Sequence, residues 1–592
     1  MKKNLTLLVF KNSSFLKISI FSALFLSLTV NSESKPTNKI LINEYTGSKN
    51  TGSPASLPVP AVASSLGAWA SIVPGSGAPT ARHEASYVQA GNKFYLMGGR
   101  KIKPVQVFDL VKKNWVNKVN TPIELHHFQA ISLDGLIYVV GAFTGSYPHE
   151  KPVSNIYIYN PTTNKWITGA TIPSARRRGS VGVVVYNKKI YLVGGIKDGH
   201  WAGHVNWFDE YNPATNTWRT LPNAPRARDH FQAAVVNGKL YLAGGRRSSA
   251  STNQTFELTV PQVDVFEFSA SKWTTLPSSS NIPTQRAGTA TAVLGNELII
   301  IGGESGSQTS AHKHTEALNV TTNKWRRLAD LKQGRHGTQA IVNNNNIYLA
   351  AGCGNRGGTP ELNTQEVFYL SSRTAPTGSN LTQSKLAAPT SVSFGTVTLN
   401  TTSTKSITLS NTTGNQAILI SSVTKSGAGA FTVSVPYTLP FVLAPGKSVT
   451  LTGKFKPGIT GSQTASVVIK HSGQGGSTTI AMSGSGVKAA TRNADTENSA
   501  EIAFNNQMVA VYPNPVLNGQ FTVNLPEGLT GEVPYSLVNQ SGTILLSDKL
   551  NLPAATHSLP FNLANRNLNS GLYYLQITQG TQRYVVKIML EK

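Results

Sequence analysis

Arginine recurs at matched positions along the first two thirds of the sequence. Five arginines stand 16 or 17 residues before a turn glycine: Arg82, Arg178, Arg228, Arg286 and Arg335. A guanidinium group offers N–H donors in a planar fork that fits a carboxylate or a sulfate, so these residues together could bind an anion. The same donors could instead bond loop carbonyls, and this structural role stays open beside the anion site.

Histidines and loop residues are further candidates for the same site. His126 and His127 follow Leu125, which replaces the arginine in the second repeat. Other histidines lie near the arginines: His83, His230 and His336. Loops on a rigid scaffold often carry function, and these loop residues could add specificity: Arg100, Arg246, Arg247, His200, Trp201 and His204. The predicted ligand site comprises the five arginines with His126, His127, His230 and Trp201, without a metal ligand or a cofactor.

Repeats of about fifty residues must position these side chains. The segments KFYLMGG, LIYVVGA, KIYLVGG, KLYLAGG, ELIIIGG and NIYLAAGC each pair an apolar strand with small residues. Their turn glycines are Gly98, Gly141, Gly194, Gly244, Gly302 and Gly352. Tryptophan forms a second series: Trp69, Trp115, Trp166, Trp218, Trp273 and Trp325. Such strands suit burial between neighbouring sheets, and glycine permits a sharp turn with positive φ.

This pattern over residues 66–370 resembles the kelch repeat. The resemblance implies an all-β protein that begins with a six-bladed β-propeller, followed here by two small β-sandwich domains. Because Trp69 precedes the first turn glycine and no tryptophan follows Gly352, we expect the strand around Trp69 to complete the last blade. The kelch resemblance also implies that the arginines begin the innermost strands and meet at one mouth of the channel.

Some kelch propellers are enzymes, among them the copper enzyme galactose oxidase and a secreted bacterial sialic-acid epimerase. Cys353 is the only cysteine, which rules out an intrachain disulfide and a thiolate metal cluster. It occupies a position that is glycine in four other repeats, so we interpret it as a small buried residue. No Tyr-His pair occurs in the sequence and the blade count differs from that of galactose oxidase, so its copper ligands are not carried over. The catalytic residues of the epimerase cannot be matched one by one.

A second domain is predicted at 385–487, after a polar linker at 371–384. Short strands about ten residues apart, separated by turn signals, are typical of an immunoglobulin-like sandwich. The segments LAPGKSVTLTGKFKP and SGSG resemble the ASH-type domains often called choice-of-anchor D. That resemblance implies a spacer or adhesion module. A second linker is predicted at 488–508.

Residues 509–592 carry the motifs of a third domain. They are Tyr512-Pro513-Asn514-Pro515, Gly519, Gly542, Gly571, Tyr573 and Lys587. Together they resemble the type A C-terminal sorting domain of the type IX secretion system. The resemblance implies a Bacteroidetes-like source and passage through the periplasm. It also implies the outer-membrane translocation machinery as a partner, with delivery to the cell surface or the medium.

The first 65 residues read as an export signal and a flexible lead. Lys2 and Lys3 open a basic region, Ile18–Val30 is an apolar core, and small residues follow near position 34. That order is typical of a secretory signal peptide over 1–34, followed by a polar lead over 35–65. The apolar run is shorter than the ~20 residues that span a bilayer, so we expect no transmembrane segment.

Composition excludes several classes of protein. The chain has 592 residues, of which 14% are charged, with 53 Lys and Arg against 27 Asp and Glu, a net charge of +26. The basic residues form no long run, and no zinc-ligand pairs or RNA-binding motif accompanies them, so we expect no nucleic-acid partner.

Two function classes follow from the sequence. The favoured one is an exported, cell-surface or secreted binding or adhesion protein whose propeller recognises a protein or a glycan, acidic glycans included. The alternative is a secreted carbohydrate-active or sialic-acid-modifying enzyme with its site at the channel mouth. A buried carboxylate paired with histidine or tyrosine inside the channel would favour the enzyme.

We expect the C-terminal domain to be removed in the native host, because the domains that residues 509–592 resemble are commonly cleaved after translocation. Mass spectrometry of the mature surface protein should find no peptide beyond about residue 510. A mature surface protein with an intact C-terminus would contradict this prediction.

Overall fold

Strands make up nearly all of the regular structure. A computed structural model describes residues 66–489 and, apart from 526–528, 554–557, 565, 567 and 581, residues 509–591. The helices in this part of the chain are three single 3-10 turns, at Ser174–Arg176, Ala250–Thr252 and Ser278–Ser280. The predicted all-β fold is confirmed. The predicted signal peptide and lead, and most of the second linker, lie outside the described residues.

Six four-stranded antiparallel sheets form the blades of the propeller. The first three blades consist of Ala85–Ala90, Lys93–Gly98, Pro104–Asp109 and Asn114–Asn120; Ile131–Leu133, Leu136–Val139, Asn155–Asn160 and Lys165–Thr171; and Gly182–Tyr186, Lys189–Val193, Phe208–Asn212 and Thr217–Leu221. The other three consist of Ala233–Val236, Lys239–Leu242, Asp264–Glu267 and Lys272–Thr275; Ala290–Leu294, Glu297–Ile301, Thr315–Asn319 and Lys324–Arg327; and Ile341–Asn343, Asn346–Ala350, Gln365–Tyr369 and Ala68–Ser71.

The sixth blade joins the two ends of the propeller sequence. Ala68–Ser71 pairs antiparallel with Gln365–Tyr369, and Trp69 lies opposite Phe368. Trp69 is 5% exposed, its ring packs against Phe368 at 5.3 Å, and its Nε1 donates to Thr315 Oγ1 of the fifth blade at 3.1 Å. The predicted ring closure is therefore confirmed.

Each of the five buried arginines donates a hydrogen bond to the carbonyl sixteen residues further along. The acceptors are the carbonyls of Gly98, Gly194, Gly244, Gly302 and Ala351, at 2.5–3.1 Å. The spacing is therefore the same in all five repeats. This sixteen-residue spacing shows that Ala351, and not Gly352 as predicted, is the first turn residue of the sixth blade.

Backbone angles support the same correction. Ala351 has φ +60°, close to the +68° of Gly194, while Gly352 at +98° matches Gly195 at +100°. Cys353 therefore stands at the next position, which is Glu304 in the fifth blade, and does not occupy a glycine position. Its thiol is buried, and burial raises the pKa of Cys353 to about 11.

Three glutamines connect the blades by hydrogen bonds in the middle of the propeller. Gln129 accepts from the backbone N–H of Val183 and donates to Ala233 O, which links the second blade to the third and fourth. Gln232 accepts from the backbone N–H of Thr291 in the fifth blade and donates to Thr338 O of the sixth. Gln339 donates to Ala130 O and accepts from the Ala130 N–H, which links the sixth blade to the second. All three side chains are buried. We call Gln129, Gln232 and Gln339 the glutamine layer.

The second domain is a two-sheet sandwich. One sheet has the order Ser391–Thr398, Ser477–Val487, Gly461–His471, Ile418–Gly427 and Phe441–Leu443; the other has the order Ser403–Ser410, Ser448–Phe455 and Phe431–Ser434. Their inner faces enclose a core that includes Ile407, Phe431 and Phe455. The alternation of buried and exposed residues along Ser448–Phe455 is what one solvated face and one buried face require.

This sandwich packs against hairpin turns of the propeller. The N–H of Ala417 donates to Asp134 O at 2.8 Å, and that of Val442 donates to Pro213 O at 2.7 Å. Successive connections in an antiparallel sheet alternate between its ends. Asp134 and Pro213, which lie in hairpin turns, are therefore at the opposite end of the blades from the loop after Gly194.

The predicted linker at 371–384 also contacts the propeller. Asn346 Nδ2 donates to Thr374 O at 2.8 Å, and the N–H of Thr377 donates to Asn343 Oδ1 at 2.8 Å. These bonds hold the segment against the hairpin turn of the sixth blade. The segment therefore links the two domains by specific contacts rather than as a free tether.

The third domain is a smaller sandwich. Its sheets have the orders Ala510–Tyr512, Gln520–Asn524 and Ser558–Asn562, and Val516–Leu517, Gln582–Glu591, Gly571–Gln579, Gly531–Asn539 and Ile544–Leu552. Asn514 of the predicted motif donates to Lys587 O and accepts from the Met589 N–H, each at 2.9 Å. The motif is thereby tied to the last strand. A helix suited to crossing a membrane is absent from the part of the chain that the structure describes.

Replacing Trp69 with alanine should destabilise the propeller by about 3–5 kcal/mol, because a large buried ring that joins two blades is lost. All eight tryptophans lie between residues 69 and 325, so tryptophan fluorescence follows this domain during thermal unfolding. Val73→Ala is the control, since Val73 is 84% exposed and should change stability by less than about 0.5 kcal/mol. Equal melting temperatures for Trp69→Ala and Val73→Ala would contradict the role of Trp69 in closing the ring.

Candidate functional site

The predicted arginines are committed to their own blades. Arg178, Arg228, Arg286 and Arg335 each contact a buried carboxylate of the same blade, and Arg82 donates to Gln106. All five side chains are almost fully buried. Burial lowers the pKa of Arg228 to about 10, against the opposing charge of Asp264, so Arg228 remains a cation at neutral pH. This arrangement is the structural role that the sequence left open, because the guanidinium donors bond groups of their own blades.

A ring of residues two positions after the arginine site surrounds the channel. All six have φ between +51° and +65°: Glu84, His127, Ser180, His230, Gly288 and Gly337. We call this ring the neck. Backbone hydrogen bonds link its neighbours, for example from the His127 N–H to Glu84 O at 3.0 Å and from the Gly288 N–H to His230 O at 2.7 Å.

Four of the six neck positions carry a side chain although their positive φ favours glycine. A non-glycine residue in the left-handed region costs on the order of 1–3 kcal/mol, and such residues cluster at functional sites. Two of the six positions are glycine, whereas Glu84, His127 and His230 place ionisable groups beside the channel. The local strain therefore marks these three side chains as candidates for function.

Three buried imidazoles meet above the neck. The ring centroids of His127, His200 and His230 lie 4.6–5.0 Å apart. One ring nitrogen of each lies within 4.8 Å of one from each of the others. We call these residues the three-histidine cluster. Imidazoles grouped in this way are a set that could hold a metal ion, which the sequence did not predict.

Two loops bring His200 to the cluster. The second-blade loop contains the hairpin Phe143–Thr144 with Lys151–Pro152, and the third-blade loop contains Ile196–Asp198 with Ala202–His204. The N–H of His200 donates to Pro148 O at 2.9 Å, and Nδ1 of His200 lies 2.9 Å from Glu150 Oε1. The loop of one blade is thus fastened to the loop of the next.

Glu150 is the fully buried centre of this contact. Arg100 Nη2 donates at 2.5 Å to Glu150 Oε1, the same oxygen that His200 contacts. Burial alone would raise the pKa of Glu150, but the hydrogen bond from His200 and the charge of Arg100 outweigh it and lower the pKa. Glu150 is therefore a carboxylate that orients the His200 ring.

His126 stands behind His127. Its Nε2 lies 3.1 Å from Gly145 O, and its Nδ1 lies 2.6 Å from Nδ1 of His127. Burial and the charge of Arg100 lower the pKa of His126 to about 4. Burial and the neighbouring imidazoles lower the pKa of His127 well below its ordinary value. Both rings are therefore neutral at physiological pH.

A second histidine–carboxylate group lies across the channel. His336 Nε2 lies 2.8 Å from Asn355 O and 3.4 Å from Glu304 Oε2, while its Nδ1 lies 3.8 Å from Glu84 Oε1. Glu304 is held by Arg246 at 2.6 Å. Burial opposes ionisation of Glu304, but His336 and Arg246 lower its pKa to about 2. His336 therefore faces two buried carboxyl groups.

A cavity of about 500 Å³ opens above these groups. Its lining comprises His83, Glu84, Arg100, Lys101, Glu124, His127, Gly145, Ser146, Tyr147, His200, Phe256, Glu304, His336, Gly357 and Gly358. The wall carries cationic, anionic and hydroxyl groups together with two aromatic rings. Such a surface suits a small polar molecule that has both hydroxyl groups and an apolar face.

The sequence located part of this site. Of the predicted residues, His126, His127 and His230 come together. Trp201 packs against His149 with its ring tilted, at 4.7 Å between centroids, and is 38% exposed outside the cavity lining. The carboxylates were missed. Glu84 could have been found, since it stands at the same offset from Arg82 as His127 from Leu125.

The comparisons with known proteins cover each domain. Residues 61–311 match the Attractin/LZTR1 beta-propeller family, residues 384–485 the HYDIN/CFA65/VesB-like Ig-like domain, and residues 510–591 the secretion system C-terminal sorting domain. The chain is therefore a kelch-type propeller protein with an immunoglobulin-like domain. Its sorting domain makes it an exported one, secreted or held at the cell surface. The finer assignment to choice-of-anchor D stays a prediction.

Similar proteins share the propeller. Kelch-like protein terF of Aspergillus terreus is 27% identical over 48% of this chain and 64% of its own length. Human Kelch-like protein 38 is 25% identical over 43% of this chain and 42% of its own length. The chain thus spans less than two thirds of these curated relatives. The solved structure of YjhT is 17% identical, with a TM-score of 0.42, over 48% of this chain and 95% of that one.

Replacing Arg228 with methionine should destabilise the propeller by about 3–5 kcal/mol, because Asp264 and several carbonyls lose a buried cationic donor. The control is Lys239→Met, which breaks an ion pair whose side chains are 41% and 44% exposed and should cost less than about 1 kcal/mol. Thermal unfolding measures both. If Arg228→Met has the same melting temperature as the wild type, the structural role assigned to Arg228 is wrong.

Proposed function

We propose that this exported protein binds a small hydroxylated sugar in the channel-mouth cavity and moves a proton on it there. The observation that carries the proposal is His336, a buried imidazole in the cavity wall that faces the carboxyl groups of Glu84 and Glu304. A buried carboxylate paired with histidine is the feature that favours an enzyme over an adhesion module.

The cavity supports the choice of substrate class. Its volume lies within the roughly 300–1,000 Å³ range of small-molecule sites. Tyr147 is 56% exposed and offers an aromatic face against which the apolar face of a sugar ring can pack, whereas the Phe256 ring already contacts the guanidinium groups of Arg246 and Arg356. Lys101, Glu124 and Ser146 line the same wall and offer donors and acceptors to hydroxyl groups.

His336 has the geometry of a proton carrier. Its Nε2 lies 2.8 Å from Asn355 O and 2.9 Å from Gly357 O, and because carbonyls only accept, Nε2 carries the hydrogen. In a neutral ring the lone pair is then on Nδ1, which is buried and has no hydrogen-bond partner. Nδ1 can take a proton from a substrate hydroxyl once the imidazole ring turns to expose it, and the two carboxylates stabilise the imidazolium that forms.

His336→Gln should lower turnover by about 10²–10⁴-fold, the usual contribution of a general acid–base group, and leave sugar affinity within a few-fold. The measurement uses the full-length exported protein. Proton NMR follows conversion in a panel of neutral and carboxylate-bearing monosaccharides, and calorimetry follows binding. The matched control is His149→Gln, which removes a histidine whose side chain is 55% exposed and should change neither quantity.

The outcomes separate the two function classes. Binding of a sugar without conversion would overturn the proton-transfer part and leave a recognition module, as the sequence first favoured. Conversion that is equally fast in His336→Gln would exclude this residue. Failure of every sugar to bind the wild-type protein would overturn the proposed function as a whole.

A further inference from the structure

We propose that His127, His200 and His230 bind one divalent transition-metal ion, with Zn²⁺ as the representative ion, at the floor of the channel-mouth cavity. All three side chains are buried, and one ring nitrogen of each lies within 4.8 Å of one from each of the others. This inference goes beyond the proposed function, because it rests on the geometry of the cluster and not on the identity of a substrate.

Carboxylates fix the orientation of two of the rings. Nδ1 of His200 lies 2.9 Å from Glu150 Oε1, and Nδ1 of His230 lies 2.6 Å from Asp229 Oδ1. A carboxylate only accepts, so Nδ1 carries the hydrogen in each ring and Nε2 carries the lone pair. Histidines that bind metal usually donate their other N–H to a carboxylate or a carbonyl in this way.

A chain of hydrogen bonds assigns the lone pair of the third ring. Gly145 O requires the hydrogen of His126 on Nε2, so Nδ1 of His126 accepts. Nδ1 of His127, 2.6 Å away, must then donate. Nε2 of His127 is left with its lone pair, and it lies 3.4 Å from Glu84 Oε2.

This last contact brings two acceptors together inside the protein. The Nε2 lone pair of His127 and the carboxylate of Glu84 repel each other unless a proton is shared between them or a cation lies beside them. Both side chains are largely buried, at 1% and 10% exposure, so bulk water does not screen the contact. A bound metal ion supplies the positive charge that this geometry lacks.

The charges around the cluster favour a dication. Arg100 pairs with Glu150 and Arg246 with Glu304, so these four charges cancel in pairs. The carboxylates of Glu84 and Asp229 remain, and they face His127 and His230 respectively.

The ligand set indicates which metals fit. Neutral imidazoles suit zinc, copper, nickel and iron, whereas magnesium and calcium prefer oxygen ligands. Three protein ligands leave a coordination position for water or a substrate, as in catalytic zinc sites. Metal–nitrogen bonds of 2.0–2.1 Å place tetrahedral ligands about 3.4 Å apart. The ring nitrogens, which now lie within 4.8 Å of one another, must therefore come closer by up to about 1.4 Å when the ion binds.

The first test measures metal binding to the full-length protein. After chelator treatment, the wild type should take up about one Zn²⁺ per chain by calorimetry and elemental analysis. Co²⁺ should give the visible absorption bands of a low-symmetry site with nitrogen ligands. Zn²⁺ should also raise the melting temperature, because a ligand that binds only the folded state stabilises it. Absence of stoichiometric binding by the wild type would overturn the inference without any variant.

Variants then locate the site. His230→Gln should weaken Zn²⁺ binding by more than about 100-fold, and Glu150→Gln, which only orients His200, by about 10–100-fold. His149→Gln is the control, because it removes an exposed imidazole paired with Asp198 near the same loops. Near-ultraviolet circular dichroism checks that each variant is folded.

The results remain distinct from those for the proposed function. Zn²⁺ affinity that falls equally in His149→Gln, or stays unchanged in both buried variants, would overturn the metal site. A sugar that is converted at full rate by the metal-free wild type would show that the proposed reaction does not use the ion. Metal binding without any sugar binding would leave this inference intact and overturn the proposed function alone.

Discussion

The bond from each buried arginine to the carbonyl sixteen residues further along fixes where the loops above the channel begin. Its acceptor is the residue at which the second strand of the blade turns away, such as Gly194 or Ala351. The arginine also stands two positions before the neck. One side chain therefore sets both the start of the loop and the place where the chain enters the channel. The bonds from Arg178 and Arg228 thereby help to position the loop that carries His200 and the neck residue His230.

The second blade shows how this frame can be altered. Leu125 replaces arginine there, and Leu125 is fully buried, while its carbonyl still accepts from the Gly99 N–H at 2.9 Å. The second blade therefore has no arginine side chain beside His126 and His127 at this position. Apolar packing keeps the backbone in place, while the two imidazoles form the hydrogen-bonded pair behind the cluster.

The repeat pattern predicted the fold well because a blade is a local unit with a regular spacing. Trp69 could be assigned to the last blade from its place before the first glycine alone, and its pairing with Phe368 confirms it. The site was harder to predict, since Glu150 and His200 meet only where loops of two blades touch. The arginines misled for a physical reason: an arginine that is needed to bond carbonyls looks the same in sequence as one that binds a ligand.

The glutamine layer makes the propeller channel blind at one end. Gln129, Gln232 and Gln339 connect the second, fourth and sixth blades by hydrogen bonds two residues beyond the neck, so their side chains lie between the cavity and the opposite face of the propeller. A ligand that leaves these bonds intact enters and leaves by the cavity mouth. For a polysaccharide, this geometry favours the end of a chain over an internal link.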